Sequence, residues 1–317
     1  MKRIAVFPGQ GSQQVGMGRA LHDAIPAARE VFAEVDEALG EKLSLLIFEG
    51  PAEELTLTRN AQPALMATSL AAVRALEAAL GGRLGQAVHY VAGHSLGEYS
   101  ALAATGAISV GEAARLLRLR GEAMQRAVPA GEGAMAAILG LGHDQVEAVA
   151  ADAAHGEVCE LANDNSEGQA VVSGHRTAVE RAVQIAKEKG ARRSMLLQVS
   201  APFHCALMAP AADELAPALA AAGFVAPQVP LIANVTATPV SDPAQIADLL
   251  RRQVTARVRW RETMARMHEL GAGAVIELGA GKVLTGLAKR GVAGANLFNV
   301  QEPDDVAALA AALGAGS

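Results

Sequence analysis

The run over residues 88–102 constrains the fold more than any other stretch of the chain. A β-branched segment over 88–91 leads into Gly93-His94-Ser95-Leu96-Gly97, and an alanine- and leucine-rich helical pattern follows at once. That is a strand, a tight turn and a helix, with a serine at the tip. The G-x-S-x-G spacing has a mechanical reason. Side chains flanking such a turn collide with the neighbouring strand and helix, so glycine is needed on both sides. The helix that follows points free N–H groups and the positive end of its dipole at the serine, where negative charge develops in acyl transfer. Short patterns with three fixed positions also recur by chance. The strand–turn–helix context is what reads this one as a nucleophile turn.

A glycine-rich turn precedes it. Residues 3–7 read as a buried first strand, ended by Pro8, and the segment from Gly9 to Gly18 follows. A dinucleotide fingerprint needs glycine where Gln14 stands. A phosphate-binding loop from Gly11 to Gly16 needs Lys and Ser or Thr where Met17 and Gly18 stand. What remains is a turn at a strand end, able to present backbone N–H groups to an anion. Gln10 at its apex is a candidate oxyanion donor, and a purely structural turn accounts for the same residues equally well. Helices are expected over 26–39 and 63–80, with 43–61 a loop carrying a short helical turn. The polar stretch from Thr58 to Pro63 can border a site or enter a helix, and helix entry is the expectation.

Ser109 and Glu112 form a capping-box pattern. In the helix they open, Ala113, Leu116, Leu117, Arg120, Met124 and Ala127 keep the spacing of a core-facing stripe. Arg115, Arg118, Glu122, Gln125 and Arg126 fall on the opposite side. Arg120 therefore sits in the middle of an apolar face, where an unpaired guanidinium is costly. A structural carboxylate can pair it. So can a ligand carboxylate, which its planar fork matches with two parallel hydrogen bonds.

The pattern then changes. Strands are expected over 133–139, 158–162, 169–173 and 192–199, with helices over 144–154 and 177–189. The order β-α-β-β-α-β is the split βαβ of ferredoxin-like domains. It reads as a small domain over 129–199, with boundaries near Pro129 and Ser200, inserted into a larger α/β domain over 1–128 and 200–317. The return to the large domain carries Pro202, Phe203 and His204, with His204 opening a helix that runs to Ala222. Among the eight histidines, His94 adjoins the serine and its side chain is expected to diverge from it. His204 follows a proline turn at a domain junction, downstream of the serine, as the base does in α/β-hydrolase-like sheets. It is the candidate base, against the commoner alternative of a surface or satisfied core histidine.

The remainder continues as α/β. A strand is expected over 229–235, a helix capped by Asp242 with Pro243 at its first position, a helix over 261–270 and a strand over 274–278. The turn Gly279-Ala280-Gly281-Lys282 lacks a phosphate loop's first glycine and its Ser or Thr, so it is not read as a nucleotide site. A helix over 283–290, a strand over 296–300 and an alanine-rich helix from Pro303 finish the chain. Arg251, Arg252, Arg257, Arg259 and Arg261 are the densest basic segment, either a solvated face or a dock for an acidic partner.

Composition closes off several classes. A net charge of −6 argues against a general nucleic-acid binder. Cys159 and Cys205 are the only cysteines and make no metal spacing, so a reduced, cytoplasmic protein without a metal is expected. The N-terminal apolar run is too short for a signal peptide, and no uncharged apolar stretch is long enough to span a bilayer.

With these residues in hand, the chain resembles the malonyl-CoA:acyl carrier protein transacylases of bacterial fatty acid synthesis. The carriers of the likeness are the segment from Phe7 to Gln13, the turn from Gly93 to Tyr99, Arg120-Gly121 with Met124-Gln125, the segment from Phe203 to Met208, and that from Gly281 to Leu287. The resemblance implies an α/β-hydrolase-like large domain with a parallel sheet and an inserted ferredoxin-like small domain. It implies Ser95 as the nucleophile that takes the malonyl group and His204 as general base. Gln10 and Leu96 would offer backbone N–H groups to the oxyanion, and Arg120 would hold the malonyl carboxylate. A backbone carbonyl at Gln253 would orient the histidine in place of an acidic third member. No cofactor is implied, since malonyl-CoA is a substrate and the phosphopantetheine belongs to the carrier protein. That carrier is acidic in the family, which makes the segment around Arg251, Arg252 and Arg257 a docking candidate; a monomer is expected. In the motif Ala201-Pro202-Phe203-His204 the phenylalanine suits malonyl by resemblance to related polyketide acyltransferases, while the first two positions depart from their pattern. A serine thioesterase or other hydrolase on the same core, the acyl-loading subunit of a malonate decarboxylase, and a carrier-binding scaffold without activity are the competing readings.

Overall fold

The computed structural model describes residues 1–314. Its strands, in chain order, are β1 (Lys2–Phe7), β2 (Tyr90–Gly93), β3 (Gly133–Leu139), β4 (Cys159–Ser166), β5 (Gln169–His175), β6 (Arg193–Leu196), β7 (Leu231–Ile232), β8 (Pro239–Val240), β9 (Ala272–Leu278) and β10 (Asn296–Val300). They make two sheets. One is six-stranded, in the order β10-β9-β1-β2-β7-β8, and parallel except for the β7–β8 pair. The other is antiparallel, in the order β4-β5-β3-β6.

The large sheet is buried on both faces, which is why its strands read as near-continuous apolar runs. Ala5 and Phe7 of β1 pack into the core on one side, and Ile4 and Val6 into the core on the other. Side chains alternate faces along a strand, so one short segment feeds both cores. The antiparallel sheet has its own core, where Ala136 and Ile138 meet Val146, Val149, Val179 and Val183 from the two helices that follow β3 and β5.

Several elements depart from expectation. The segment read as a loop over 43–61 holds two helices, Leu43–Glu49 and Ala52–Thr56, each too short to show a clear stripe. The next helix begins at Thr58, not Pro63, and runs to Leu80 with Pro63 inside it. Packing outweighs the lost backbone bond there, since nearly every residue from Thr58 to Leu76 is buried. This helix is long and apolar enough to cross a membrane by length and composition, and 72% of that window is buried inside the protein. The strand expected over 229–235 shrinks to β7, because the chain turns at Ala233 and Asn234 to meet Thr238. His204 does not open a helix. Its φ is +59°, which no right-handed helix permits, and a 3₁₀ turn at Ala206–Met208 leads into the helix Ala209–Ala221.

The caps follow the sequence more closely. Ser109 Oγ accepts from the Glu112 N–H at 3.1 Å, but the Glu112 carboxylate turns to Arg115, so only half the box forms. Asp242 accepts from the Ala244 N–H at 3.1 Å, with Pro243 first in the helix. The helix Val283–Gly291 is capped from β9. Both oxygens of buried Glu277 accept from its first turn, at Leu284 N, Thr285 N and Thr285 Oγ1. That carboxylate occupies the anion position a nucleotide phosphate would take.

The two sheets are tied together beside β4. Val258 pairs with Asn163, donating to Ala162 O at 2.8 Å while Asp164 N donates to Val258 O at 3.0 Å. Arg261 reaches buried Asp164 at 2.9 Å.

Candidate active site

The turn after β2 is shaped by close approach. A Cβ on Gly93 would lie 1.9 Å from the Gly97 carbonyl carbon, and one on Gly97 would lie 2.3 Å from Phe7 O. Any side chain at either position pushes the helix Gly97–Ala104 off β1 and β2. Between them Ser95 is held at φ +52°, a left-handed conformation that costs a serine about 1–3 kcal/mol. Asn234 contributes to holding it there. Its Oδ1 accepts from Ser95 N at 2.8 Å, and its Nδ2 donates to Gly93 O at 2.7 Å.

Ser95 Oγ lies 2.7 Å from His204 Nε2. On the far side of the ring, Nδ1 faces two carbonyls, Gln253 O at 2.9 Å and Ala256 O at 3.2 Å. Carbonyls only accept, so Nδ1 carries the proton and Nε2 is left to accept from the serine hydroxyl. Burial, followed by the positive charge of Arg120, pulls the His204 imidazole down to about 3, against the help its two carbonyl contacts give the charged form. The ring is therefore neutral at physiological pH, the state a base needs.

Arg120 projects into the same space and is 2% exposed. Its Nη1 donates to Gln62 Oε1 at 2.6 Å, and its Nη2 donates to Gln253 Oε1 at 2.9 Å and to Ser95 Oγ at 3.1 Å. Nε has no hydrogen-bond partner, and no carboxylate among the described residues forms an ion pair with the guanidinium. The sequence left two ways to compensate this cation. The structural carboxylate is absent from direct contact, so the guanidinium rests on neutral acceptors with a donor to spare.

Gln10 and Leu96 both line the cavity around Ser95, whose volume is about 320 Å³. No acceptor among the described residues takes the backbone N–H of either. The Gln10 side chain is turned away, accepting from Thr58 Oγ1 at 2.8 Å. Met135, Val171 and Leu197 from the antiparallel side complete the wall, so the serine faces a cleft between the two sheets. His94 turns from Ser95 to Asn165 Oδ1, 2.8 Å away, and burial lowers its pKa. Among the described residues one cluster, His143, Asp144 and Glu147, has metal-ligand spacing. Asp164 and Arg257 already engage it, at 3.1 Å from His143 and 2.6 Å from Glu147.

Sequence reasoning missed four contributors. Gln62, Glu98, Asn234 and the side chain of Gln253 come from separate segments and converge on Ser95 and Arg120. Only Gln62 carried a signal, inside the polar stretch at the helix entry. Glu98 is 1% exposed, and burial pushes its carboxyl up to about 8 despite donors from Asn234 and Gln253 and the nearby Arg120 charge.

The model of the family described as an acyl transferase domain matches residues 4–310. The chain belongs to this family. A malonyl CoA-acyl carrier protein transacylase of Bacillus subtilis strain 168 is 46% identical over 308 residues, covering 96% of this acyltransferase and 96% of that protein. The crystal structure of an acyl-carrier-protein S-malonyltransferase from Bartonella henselae is 53% identical, with a TM-score of 0.96 over 99% of this chain and 100% of that one. A malonyl-transacylase in complex with a type II PKS acyl-carrier protein aligns at a TM-score of 0.94 and 42% identity, covering 98% of this chain and all of that one (100%).

Proposed function

We propose that this acyltransferase carries the malonyl group from malonyl-CoA to the phosphopantetheine thiol of acyl carrier protein, supplying units for fatty acid synthesis. The observation that carries the reading is Arg120: a buried cation with no ion-pair partner among the described residues, 3.1 Å from the Ser95 hydroxyl. A guanidinium so placed suits an acyl group that brings its own carboxylate. The names of the relatives agree.

Ser95 Oγ attacks the thioester carbonyl as its proton passes to His204 Nε2. The backbone N–H groups of Gln10 and Leu96 meet the oxyanion, and their lack of another acceptor among the described residues supports that role. Collapse expels coenzyme A, which leaves as the thiol by taking the proton from the imidazolium. A malonyl-serine ester remains, with its carboxylate on Arg120. The carrier's thiol then attacks the same ester and gives its proton to His204, which delivers it to Ser95 Oγ as the ester bond breaks. The Gln253 and Ala256 carbonyls stabilise the imidazolium, in place of an acid.

The topology supports the finer fold reading. The strand order β4-β5-β3-β6 with two helices suits a ferredoxin-like domain over 129–199. The parallel strands with Ser95 at a strand–helix turn suit an α/β-hydrolase-like domain over 1–128 and 200–317. Docking of an acidic carrier near Arg251 and Arg252 is favoured by their exposure, although Asp248 lies 3.2 and 3.6 Å from them. Arg257 is less free, held by Glu147 and Glu262.

Water as the acceptor would make the same core a hydrolase. Free coenzyme A and free malonate are followed with and without carrier protein. Coenzyme A release beyond one equivalent per enzyme that depends on the carrier, with little malonate formed, is expected. Malonate released at the rate of coenzyme A in both cases would replace transfer by hydrolysis.

A further inference from the structure

Glutamine amides have one donor end and one acceptor end, and Gln253 uses both. Its Oε1 accepts from Arg120 at 2.9 Å. Its Nε2 donates to Ser95 O at 2.9 Å and to Glu98 Oε2. Glu98 is fully enclosed, and its other oxygen accepts from the Asn234 N–H at 2.7 Å. Two donors thus face the two oxygens of Glu98, a geometry that fits the carboxylate and leaves a protonated acid's own hydrogen opposed to a donor, so these bonds favour the charged form against the burial that pushes the group up.

We infer that Glu98 is a positioning residue for acyl-carboxylate recognition: it fixes which end of the Gln253 amide faces Arg120, and thereby holds the guanidinium over Ser95. The inference rests on the reading of Arg120 as the group that receives the acyl carboxylate. Among the described residues no carboxylate pairs with Arg120 to align it. Gln253 is one of two side-chain amides that do so, and it is also the bridge to a negative charge. A carboxylate at the donor end polarises the amide, which strengthens the acceptor end that meets the guanidinium. With the amide reversed, Nε2 would face Nη2, donor against donor. Glu98 therefore acts at two removes, without touching the substrate.

Glu98→Gln tests this, because it preserves size and packing. One oxygen remains at position 98, and the Asn234 N–H claims it. The new amide nitrogen then opposes Gln253 Nε2, and Gln253 flips or withdraws from Arg120. The kcat/KM values for malonyl-CoA and acetyl-CoA are measured for wild type, E98Q, R120A and the double variant. A fall of about 10–100-fold in the malonyl/acetyl ratio is expected for E98Q, the size of one hydrogen bond to a charged group. No further fall in ratio is expected when E98Q is added to R120A. A purely structural role lowers both substrates alike and leaves the ratio unmoved, which would overturn the inference while R120A still collapses it. An unmoved ratio in R120A would instead remove the reading of Arg120, and the inference with it. Should E98Q fail to fold, glutamine side-chain amides are read in ¹⁵N-labelled wild type. A downfield amide proton that moves as a buried carboxyl titrates is expected, and glutamine amides all at free values would overturn the inference.

Discussion

In the proposed scheme, replacing Arg120 with alanine separates recognition of the acyl carboxylate from the chemistry at Ser95. The guanidinium is 2% exposed, so a carboxylate docking on it forms charge-assisted bonds out of water's reach. Removing one partner of a buried, hydrogen-bonded charge pair costs about 2–5 kcal/mol. At about 1.4 kcal/mol per tenfold, that is a loss of roughly 30- to 4,000-fold in kcat/KM for malonyl-CoA. Acetyl-CoA has no carboxylate to lose. Its kcat/KM is spared that part of the loss, so the malonyl/acetyl ratio falls by at least about 30-fold. The variant also leaves Gln62 Oε1 and Gln253 Oε1 without their donor, so thermal unfolding is measured alongside to show that the protein is folded. The assay is steady-state transfer to carrier protein from each thioester under identical conditions. A folded Arg120→Ala protein with the ratio of wild type would refute the assignment, because a buried cation 3.1 Å from the Ser95 hydroxyl would then have no part in acyl choice.

Two other expectations concern the base and the partner. With His204 held down to about 3, the acid limb of the acyl-loading rate lies well below the ordinary histidine value of 6.5, and Arg120→Ala moves it upward because one cause of the depression is gone; an inflection near 6.5 in wild type contradicts this. Between those two values the unfolded chain binds a proton that the folded chain refuses, so this group makes stability fall as pH drops through that window, which thermal unfolding against pH reads directly. Charge reversal at Arg251 and Arg252 raises the KM for carrier protein and leaves that for malonyl-CoA unchanged, whereas equal effects on both would remove the docking site. Arg257→Glu also breaks the 2.6 Å pair with Glu147 between the two sheets, so it lowers thermal stability as well.

What the sequence disclosed, and what it withheld, follows from the range of each interaction. The turn at Ser95 was legible because its constraints are local: two glycines, a strand before and a helix after. The burial of Arg120 was legible because one helix stripe dictates it. Its surroundings were not, since Gln62, Ser95 and Gln253 come from three distant segments. His204 illustrates the limit from the other side. Its proline-turn context drew attention, but a helix was expected where the backbone adopts φ +59°. Its ring is held by carbonyls about fifty residues downstream, at Gln253 and Ala256, beyond any local pattern. The orientation of the ring by Gln253 entered only through the family resemblance. Asn234 and Glu98 looked like an ordinary strand residue and an ordinary helix residue. Only the assembled fold makes them the clamps on the turn at Ser95.

The central claim is that Ser95 carries the malonyl group between the two thiols. Mixing the protein with malonyl-CoA, quenching rapidly and measuring intact mass, with peptide mapping, tests it without any carrier protein. One malonyl adduct is predicted, on the peptide that contains Ser95. It should be absent in Ser95→Ala and discharged when carrier thiol is added. No adduct under rapid quench, or an adduct on another residue, would contradict the account.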